Sequence, residues 1–352
     1  MVQPSKGYQF IFRPTLKCNL SCRYCYAASL RDGENISMTI NEAKTAIDWM
    51  ASFCTYHKIK SASLLWHGGE PLLPGIDYLM EILDYAKQAF SRIDVVLCNQ
   101  IQTNLLLVTE KHLEIFRNYF ANEVGFSWDY GSDLRVYPNG QDASAAVWEK
   151  ALWCKKNKVE IGALCQITSK NREDPKGLYR KFADANIPFR LTPVFPCTLE
   201  EAVKAADAAC SVIDAWLEDP DPSIEIGNFC EIIEALMTGN TRKCYSEKNC
   251  GRVLMVISPG GKIYPCSRNI DDDDVIGNYY RDSPDDVHQR RMFFYEGIKA
   301  KTCETCEFFN VCGGGCAFQY MNKWHDCECA YNKKVIGHLS RWIKDSGYDA
   351  IR

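Results

Sequence analysis

The sequence lacks long apolar runs and a marked excess of either charge. No stretch approaches the ~20 apolar residues that a membrane-spanning helix needs, and the first residues, MVQPSKGYQF, lack the apolar core of a secretory signal. Lysine and arginine number 41 against 45 aspartates and glutamates, so the charge balance favours neither nucleic acid nor an anionic membrane as a partner. The sequence therefore predicts a cytoplasmic globular protein with no membrane and no nucleic-acid partner.

Cysteine, in contrast, is abundant, with 19 copies in 352 residues. Disulfides are rare where cytosolic reductants keep thiols reduced, so clustered cysteines in such a protein are more often metal ligands or catalytic groups. Seven are scattered singly through apolar segments, where we expect small buried side chains. The other twelve form an N-terminal trio and a C-terminal group, and these predict metal sites.

The N-terminal trio is Cys18, Cys22 and Cys25, a C-x3-C-x2-C motif directly after a strand-like run. A closed structural zinc site needs four protein ligands, and an ordinary 4Fe-4S cluster takes one cysteine per iron. A cluster held by three cysteines leaves one iron open to a substrate or cofactor. The alternative is a zinc site that a distant histidine or cysteine completes.

Short β-rich runs alternate with amphipathic helical patterns between residues 8 and 195. Repeated strand-then-helix units predict an α/β fold with a parallel sheet and right-handed crossovers, and six units suit a partial (β/α)6 barrel. The first helix is expected to open with a capping box of Thr39 and Glu42. The predicted strands are Tyr8–Arg13, Ser63–His67, Val95–Thr103, Val124–Asp129, Val159–Thr168 and Phe189–Phe195. The predicted helices are Asn41–Cys54, Tyr78–Phe90, Glu110–Phe120, Ala143–Lys156 and Pro175–Ala185.

Polar motifs follow four of these strands. The cysteine loop follows the first strand, and HGGEP, from His67 to Pro71, follows the second. QTN closes the third strand at Asn104, and SWD closes the fourth at Asp129. Active sites of such barrels collect at the carboxyl ends of the strands, so we expect these motifs to share one site.

The pattern changes after residue 196, first to two helices and then to a cysteine-rich tail. The helices are predicted at Leu199–Leu217 and Ile226–Thr238. We place a domain boundary near residue 240. Residues 1–239 would form the partial barrel with bridging helices, and residues 240–352 a small cysteine-rich domain with a C-terminal helix.

With the cysteine trio and the GGEP run, the chain resembles the radical SAM superfamily. In that family the open iron of a 4Fe-4S cluster chelates the amino and carboxylate groups of S-adenosylmethionine, whose reductive cleavage gives a 5'-deoxyadenosyl radical. The resemblance implies that the trio holds this cluster and that Tyr24 lies beside the adenine. It implies that Gly68, Gly69 and Glu70 hydrogen-bond the methionyl amino group, and that a flavodoxin- or ferredoxin-type protein is the reductant.

Five further residues resemble positions of sulfatase-maturase-like members of the family: Gln102, Asn104, Ser127, Asp129 and Arg135. The resemblance implies that Ser127 contacts the ribose and that Arg135 meets the cofactor's carboxylate. The alternative for these side chains is capping of nearby backbone at the strand ends, which is common for short polar residues.

The C-terminal cysteines resemble the SPASM extension of radical SAM enzymes, which holds two auxiliary 4Fe-4S clusters. The pattern is C-x(9–15)-G-x4-C, then C-x2-C-x5-C-x3-C, then a final cysteine. Carried over to this chain, the pattern implies two auxiliary clusters and therefore three clusters in all. The ligands of the first auxiliary cluster would be Cys244, Cys250, Cys266 and Cys316. The second set is Cys303, Cys306, Cys312 and either Cys327 or Cys329. Taken alone, the tail also fits two zinc sites.

The resemblance implies an oxidoreductase that abstracts hydrogen from a residue of a peptide or protein. The first hypothesis is an oxidative modification such as a thioether or carbon–carbon cross-link in a ribosomal peptide. Formylglycine formation by an anaerobic sulfatase maturase comes second, because those enzymes carry an Asp after the cysteine of the G-x4-C motif, where this chain has Ser267. A serine hydroxyl is not a comparable base. The third hypothesis is a non-catalytic iron–sulfur or zinc scaffold.

Overall fold

The computed structural model of the chain describes residues 7–32, 36–131, 133–195, 197–239, 253–294, 303 and 305–347, without the side chains of residues 31 and 32. The strands are β1 Tyr8–Thr15, β2 Ser61–Gly68, β3 Val96–Thr103, β4 Glu123–Ser127, β5 Glu160–Ile167, β6 Phe189–Pro193, β7 Leu254–Ile257, β8 Lys262–Tyr264 and β9 Gly277–Asn278. The α-helices are α1 Ile40–Tyr56, α2 Ile76–Ser91, α3 Glu110–Tyr119, α4 Ser144–Lys156, α5 Pro175–Asp184, α6 Leu199–Leu217, α7 Gly227–Thr238, α8 Pro284–Phe294, α9 Phe309–Cys312, α10 Ala317–Met321 and α11 His325–Asp345.

The predicted α/β class is confirmed. Strands β1 to β6 and helices α1 to α7 lie where hydrophobic periodicity predicts them, and their bounds move by at most two residues. Strand β2 pairs in parallel with β1 and β3, β3 pairs in parallel with β4, and β5 pairs in parallel with β6. The alternation of strands and helices therefore gives the expected mostly parallel sheet.

The chain divides into two compact units, of which the first comprises residues 1–127, 134–161 and 251–296. Its strands lie in the order β4-β3-β2-β1-β7-β8-β9. Strand β7 runs parallel to β1, and β8 and β9 continue antiparallel. The turn at Gly260 and Gly261 joins β7 to β8, and both glycines have positive φ. The pairing of β7 with β1 was not predicted.

Strand β1 is buried on both faces, as expected for a central strand of a parallel sheet. Phe10 and Phe12 are completely buried. Phe12 packs edge to face on Trp66 of β2 with ring centroids 5.1 Å apart, and Phe10 packs in the same way on Phe53 of α1 at 5.8 Å. These aromatic contacts hold β1, and so the loop that follows it, in the centre of the first unit.

The N-terminus of α1 corrects one detail of the sequence prediction. Thr39 is the N-cap, and its hydroxyl accepts from the amide of Glu42 at 3.2 Å. The carboxylate of Glu42 does not complete a capping box. It accepts from the amide of Gly260 at 2.7 Å and from the hydroxyl of Tyr279 at 2.8 Å. This distant partnership ties α1 to the β7–β8 turn.

The second unit comprises residues 128–133, 162–250 and 297–352. Strand β5 pairs with β6 from Ala163 to Ile167, and Phe182 of α5 stacks on Phe189 with ring centroids 4.3 Å apart. Helix α11 lies along α6, where His338 and Asp214 are 2.6 Å apart. This helix carries the last two cysteines of the tail.

The predicted domain boundary near residue 240 lies outside the described residues, so the division into 1–239 and 240–352 stays a prediction. The pairing of β7 with β1 places residues 253–294 in the first unit. Among the described residues, no helix is both long and apolar enough to cross a bilayer.

Candidate functional site

The cysteine loop leaves β1 and carries three half-exposed free thiols. Its backbone is pinned by two hydrogen bonds to the segment after residue 133: Ser21 donates to Val136 at 2.7 Å and Arg23 to Leu134 at 2.8 Å. Inside the loop, the amide of Leu20 donates to Sγ of Cys18 at 3.4 Å. The three thiols therefore lie on a loop whose backbone is fixed by hydrogen bonds.

Gly68 and Gly69 hold this loop from the side of β2. The amide of Gly69 donates to the carbonyl of Thr15 at 3.0 Å, and the next amide donates to the carbonyl of Lys17 at 2.8 Å. A Cβ on Gly69 would lie 2.0 Å from the carbonyl oxygen of Lys17. Gly68 has a φ of 124° and its Cβ would lie 2.3 Å from the carbonyl oxygen of Thr15. The glycines thus permit contact between two backbones, and their predicted contact with a cofactor stays a prediction.

Glu70 is a buried carboxylate, only 1% exposed. Its Oε1 accepts from the hydroxyl of Thr103 at 2.7 Å and from the amide of Leu72 at 3.1 Å, while Oε2 accepts from the amide of Asn104 at 2.8 Å. Burial raises the pKa of Glu70 to about 7, although the three hydrogen bonds oppose the shift. A carboxylate has about four acceptor positions, so one remains for the predicted ammonium contact.

Asn104 connects the end of β3 to the cysteine loop. Its Nδ2 donates to Oδ1 of Asn19 at 2.7 Å and lies 3.9 Å from Sγ of Cys18. Its Oδ1 accepts from the amide of Leu106 at 3.1 Å. Glu70, which follows β2, accepts from the backbone amide of Asn104, which follows β3. The side chain of Asn104 in turn contacts Asn19 and Cys18 in the loop after β1, so hydrogen bonds connect the ends of all three strands.

Arg135 lies against the cysteine loop and is 6% exposed. Its Nη2 donates a hydrogen bond to the hydroxyl of Tyr24, and its Cζ lies 5.5 Å from the centroid of the same ring. Nη1 lies 4.0 Å from Sγ of Cys22. A cation at this distance from the sulfur favours the thiolate form that a metal requires.

Gln102 and Ser127, both predicted as cofactor contacts, bond to each other. Nε2 of Gln102 donates to Oγ of Ser127 at 2.8 Å. Gly125 leaves room for this pair, because a Cβ there would lie 2.4 Å from Oε1 of Gln102.

Asp129, in the second unit, is completely buried, and its Oδ1 accepts from the amide of Gln166 at 2.8 Å. That contact fits the strand-end capping alternative for Asp129.

Arg13 contacts Ser267 in the first unit, and this contact was not predicted from the sequence. Arg13 is 1% exposed, and its Nη2 donates to the carbonyl of Ser267 at 2.7 Å. Its Nη1 has no hydrogen-bond partner among the described residues. Burial and then the charge of Arg13 lower the pKa of His67 to about 4, so this histidine is neutral at physiological pH.

Four thiols of the C-terminal tail line one cavity in the second unit: Cys303, Cys306, Cys312 and Cys329. Asn332, Lys333 and Ile336 line it as well. These residues follow Cys329 at spacings of three, four and seven, which places all four side chains on one face of α11. We call this cavity the four-thiol cavity.

Cys327 lies elsewhere on the same helix. At ~100° per residue it is turned roughly 200° from Cys329, and it does not line the four-thiol cavity. Its Sγ donates to the carbonyl of Cys197 at 3.1 Å instead. Of the two candidates for the last ligand, the geometry therefore favours Cys329.

The set of four cysteines implied for the first auxiliary cluster is only partly within the described residues. Cys244 and Cys250 lie outside the described residues. Cys266 belongs to the first unit and Cys316 to the second, and the amide of Cys316 donates to Glu328 at 2.9 Å. This ligand set stays a prediction.

The donor chemistry fits iron–sulfur sites. All 17 described cysteines are free thiols, so none of those in the trio or the four-thiol cavity is lost to a disulfide. Within the described part of the chain, no three cysteine, histidine, aspartate or glutamate side chains converge closely enough to chelate a single metal ion.

Sequence reasoning missed several residues around these sites. Asn332 lies 3.7 Å from Sγ of Cys312, and its spacing of three from Cys329 on a helix was a usable signal. His325 was also missed. It lines the four-thiol cavity, and burial lowers its pKa. Asn19 follows Cys18 directly and could have been considered. The contact of Arg13 had no sequence signal, because its partner lies 254 residues away.

Comparisons with known proteins agree with this geometry. Residues 12–182 match the model of the Radical SAM superfamily. The chain is 25% identical over 325 residues to a cysteine-type anaerobic sulfatase-maturating enzyme of Clostridium perfringens, with 85% of each chain covered.

Two solved structures share the fold. One is anSMEcpe with bound AdoMet and Cp18Cys peptide, with a TM-score of 0.81, 19% identity and coverage of 96% of this chain and 98% of the other. The other is Streptococcus suis SuiB bound to precursor peptide SuiA, with a TM-score of 0.59, 17% identity and coverage of 92% and 74%. At these identities the likeness shows the fold.

Proposed function

We propose that this chain, which carries a radical SAM domain, is an enzyme that oxidises a residue of a peptide or protein with S-adenosylmethionine as cofactor. The observation that carries the proposal is the cysteine trio on a loop fixed by the backbone amides of Gly69 and Glu70. Relatives with the same fold, anSMEcpe and SuiB, have been solved with peptides bound. Their ligands support a peptide as the substrate class here.

Cys18, Cys22 and Cys25 would hold a 4Fe-4S cluster by three thiolates, leaving one iron for the cofactor. When bound, this cluster supplies the electron that cleaves S-adenosylmethionine to the 5'-deoxyadenosyl radical. Arg135 lies beside the sulfur of Cys22 and would stabilise its thiolate. Glu70, through its remaining acceptor position, would orient the methionyl ammonium, and Tyr24 would lie beside the adenine.

We place formylglycine formation ahead of peptide cross-linking, which reverses the order that the sequence suggested. The Clostridium perfringens maturase matches over 85% of both chains, whereas SuiB matches with a TM-score of 0.59. Oxidation of a cysteine to formylglycine removes one hydrogen atom, one further electron and one proton before water replaces the sulfur. A proton acceptor is therefore required, and the described contact of Ser267, between its carbonyl and the guanidinium of Arg13, supplies no base.

The test is anaerobic incubation with S-adenosylmethionine, dithionite and a sulfatase-derived peptide that contains cysteine, serine or alanine at the target position. We expect 5'-deoxyadenosine and a formylglycine product from the cysteine or serine peptide and no product from the alanine peptide. A Ser267→Ala variant should keep its rate, because the hydroxyl is not the proton acceptor.

Two outcomes would redirect the proposal. Formation of 5'-deoxyadenosine without formylglycine would move the cross-linking hypothesis to first place, and short precursor peptides would then be the substrates to test. Failure of the reconstituted protein to form 5'-deoxyadenosine at all would favour the non-catalytic scaffold. Replacement of the trio by alanine controls for cofactor cleavage by free iron.

The four-thiol cavity would hold an auxiliary 4Fe-4S cluster with all four irons ligated by the chain. Such a closed cluster can exchange electrons but offers no site to the cofactor. A second auxiliary cluster at Cys266 and its implied partners would bring the total to about twelve irons per chain, at four irons per cluster. Iron and sulfide analysis of anaerobically purified protein tests this number, and stoichiometric zinc would contradict it.

A further inference from the structure

The hydroxyl of Tyr320 lies at the sulfur of Cys303, one of the residues that line the four-thiol cavity. The two atoms are 3.1 Å apart. On its other side, the same hydroxyl oxygen lies 2.6 Å from Nε2 of His325. Nε2 of His325 lies 3.9 Å from the same sulfur, so Tyr320 makes the shorter of these two polar contacts to Cys303 and also contacts the imidazole.

Local backbone geometry fixes this arrangement. Tyr320 is in α10 and His325 is the first residue of α11, and Lys323 between them has a left-handed φ of 61° that reverses the chain. The two rings stack with centroids 3.6 Å apart and an interplanar angle of 19°. On the other side of His325, a Cβ at Gly315 would lie only 3.4 Å from the imidazole. Both side chains are half-buried, and the ring stacking limits the freedom of the hydroxyl to leave the sulfur.

We propose that Tyr320 donates a hydrogen bond to the thiolate of Cys303 and thereby raises the reduction potential of the cluster in the four-thiol cavity. This inference rests on the proposed function, since it requires that cluster to be bound. A metal-bound thiolate offers lone pairs and no proton, so the hydroxyl must be the donor in this contact. Its oxygen is then left to accept from Nε2–H of His325.

The direction of the effect follows from charge. Reduction adds one negative charge to the cluster and its sulfur ligands, so a donated hydrogen bond stabilises the reduced state more than the oxidised state. Hydrogen bonds to the sulfurs are among the factors that set the potential of iron–sulfur clusters. Tyr320 would therefore make the cluster a better acceptor for the electron that the oxidised substrate must release.

Tyr331 provides a matched control. It lies on α11, is 7% exposed and does not line the four-thiol cavity. Within the described part of the chain, its hydroxyl has no hydrogen-bond partner. Tyr331→Phe therefore removes the same chemical group from the same region without touching a cluster ligand.

The experiment is a redox titration followed by electron paramagnetic resonance, on protein whose trio is replaced by alanine so that only auxiliary clusters give a signal. We expect Tyr320→Phe to lower the midpoint potential of one auxiliary cluster by up to ~59 mV. For a one-electron couple this corresponds to a tenfold change in the equilibrium constant for reduction. Tyr331→Phe should leave both potentials unchanged. An unchanged potential in Tyr320→Phe, or an equal shift in both variants, would overturn the inference.

Iron analysis separates this inference from the proposed function. Cys303→Ala should lose the iron of one cluster, while Tyr320→Phe should keep its full iron content. If Cys303→Ala retains all the iron of the parent, the cluster assignment fails and the role of Tyr320 fails with it. If Cys303→Ala loses iron and Tyr320→Phe keeps the parent potential, only the role of Tyr320 is wrong.

Discussion

Glu70 accepts a hydrogen bond from the hydroxyl of Thr103, with the two oxygen atoms 2.7 Å apart, and both side chains are almost fully buried. The bond joins the loop after β2 to the last residue of β3. Because the same carboxylate also accepts from the amide of Asn104 at 2.8 Å, the two strand ends cannot move independently. Glu70 is thus a structural clamp as well as a candidate cofactor contact.

The ionisation of Glu70 should make stability depend on pH. Burial raises its pKa from the ordinary 4.5 to about 7. A carboxyl group whose pKa is higher in the folded state contributes stability that is complete below its unfolded pKa and is lost as pH rises through its folded pKa. The loss is on the order of 3 kcal/mol for a shift of this size.

Urea unfolding of the anaerobic protein, carried out on both sides of pH 7, measures this effect. We expect the free energy of unfolding of the unsubstituted protein to fall relative to that of Glu70→Gln as pH rises toward the raised pKa, and to level off above it. Parallel pH curves for the two proteins would contradict the assignment.

Gly69→Ala should disrupt the cysteine loop. The new Cβ would lie 2.0 Å from the carbonyl oxygen of Lys17, and backbone must move to relieve a contact that short. We expect loss of the catalytic cluster and of 5'-deoxyadenosine formation, with the C-terminal cluster retained. The control is Gly337→Ala in α11, where the nearest atom to the new Cβ is 3.5 Å away. Full iron content in Gly69→Ala would argue against the role of this backbone contact.

The two cysteines near the start of α11 should differ sharply on substitution. Cys329 lines the four-thiol cavity, so Cys329→Ala should lose the iron of one cluster. Cys327 contacts the carbonyl of Cys197 instead, so Cys327→Ala should keep it. Iron analysis of the two variants side by side is sufficient, and the reverse pattern would reassign the last ligand to Cys327.

Tyr24 should contribute to cofactor binding through both its ring and its hydroxyl. The hydroxyl accepts from Arg135, whose guanidinium carbon lies 5.5 Å from the ring centroid. We expect Tyr24→Phe to weaken binding of S-adenosylmethionine only a few-fold, because the cation–π contact is retained at ~0.5–2 kcal/mol. Tyr24→Ala should weaken it further. Equilibrium binding checks both, and equal losses would assign the whole effect to the hydroxyl.

Local periodicity was enough to predict strands β1 to β6 and helices α1 to α7. Each of these elements buries one stripe or both faces of a short segment, and that pattern is visible in the sequence itself. The cysteine motifs were equally accessible, because most of their cysteines lie a few residues apart in the chain.

Contacts between distant segments were not predictable in the same way. The carboxylate of Glu42 was assigned to its own helix cap, but it bonds to the β7–β8 turn. Asp129 was predicted as a cofactor contact, with strand-end capping as the alternative, and the amide that it accepts from, Gln166, could not be read from spacing. Short polar side chains satisfy whichever backbone group the fold brings near them, and spacing alone does not specify that partner.

The pairing of β7 with β1 constrains how the chain can be cut. A fragment that ended near residue 239 would keep the cysteine trio but leave one edge of β1 without its neighbour. An apolar strand with unpaired amides and carbonyls recruits other chains, so such a fragment is expected to aggregate. Expression of the part that carries the cysteine trio would therefore require the segment through β9 to be fused back beside β1.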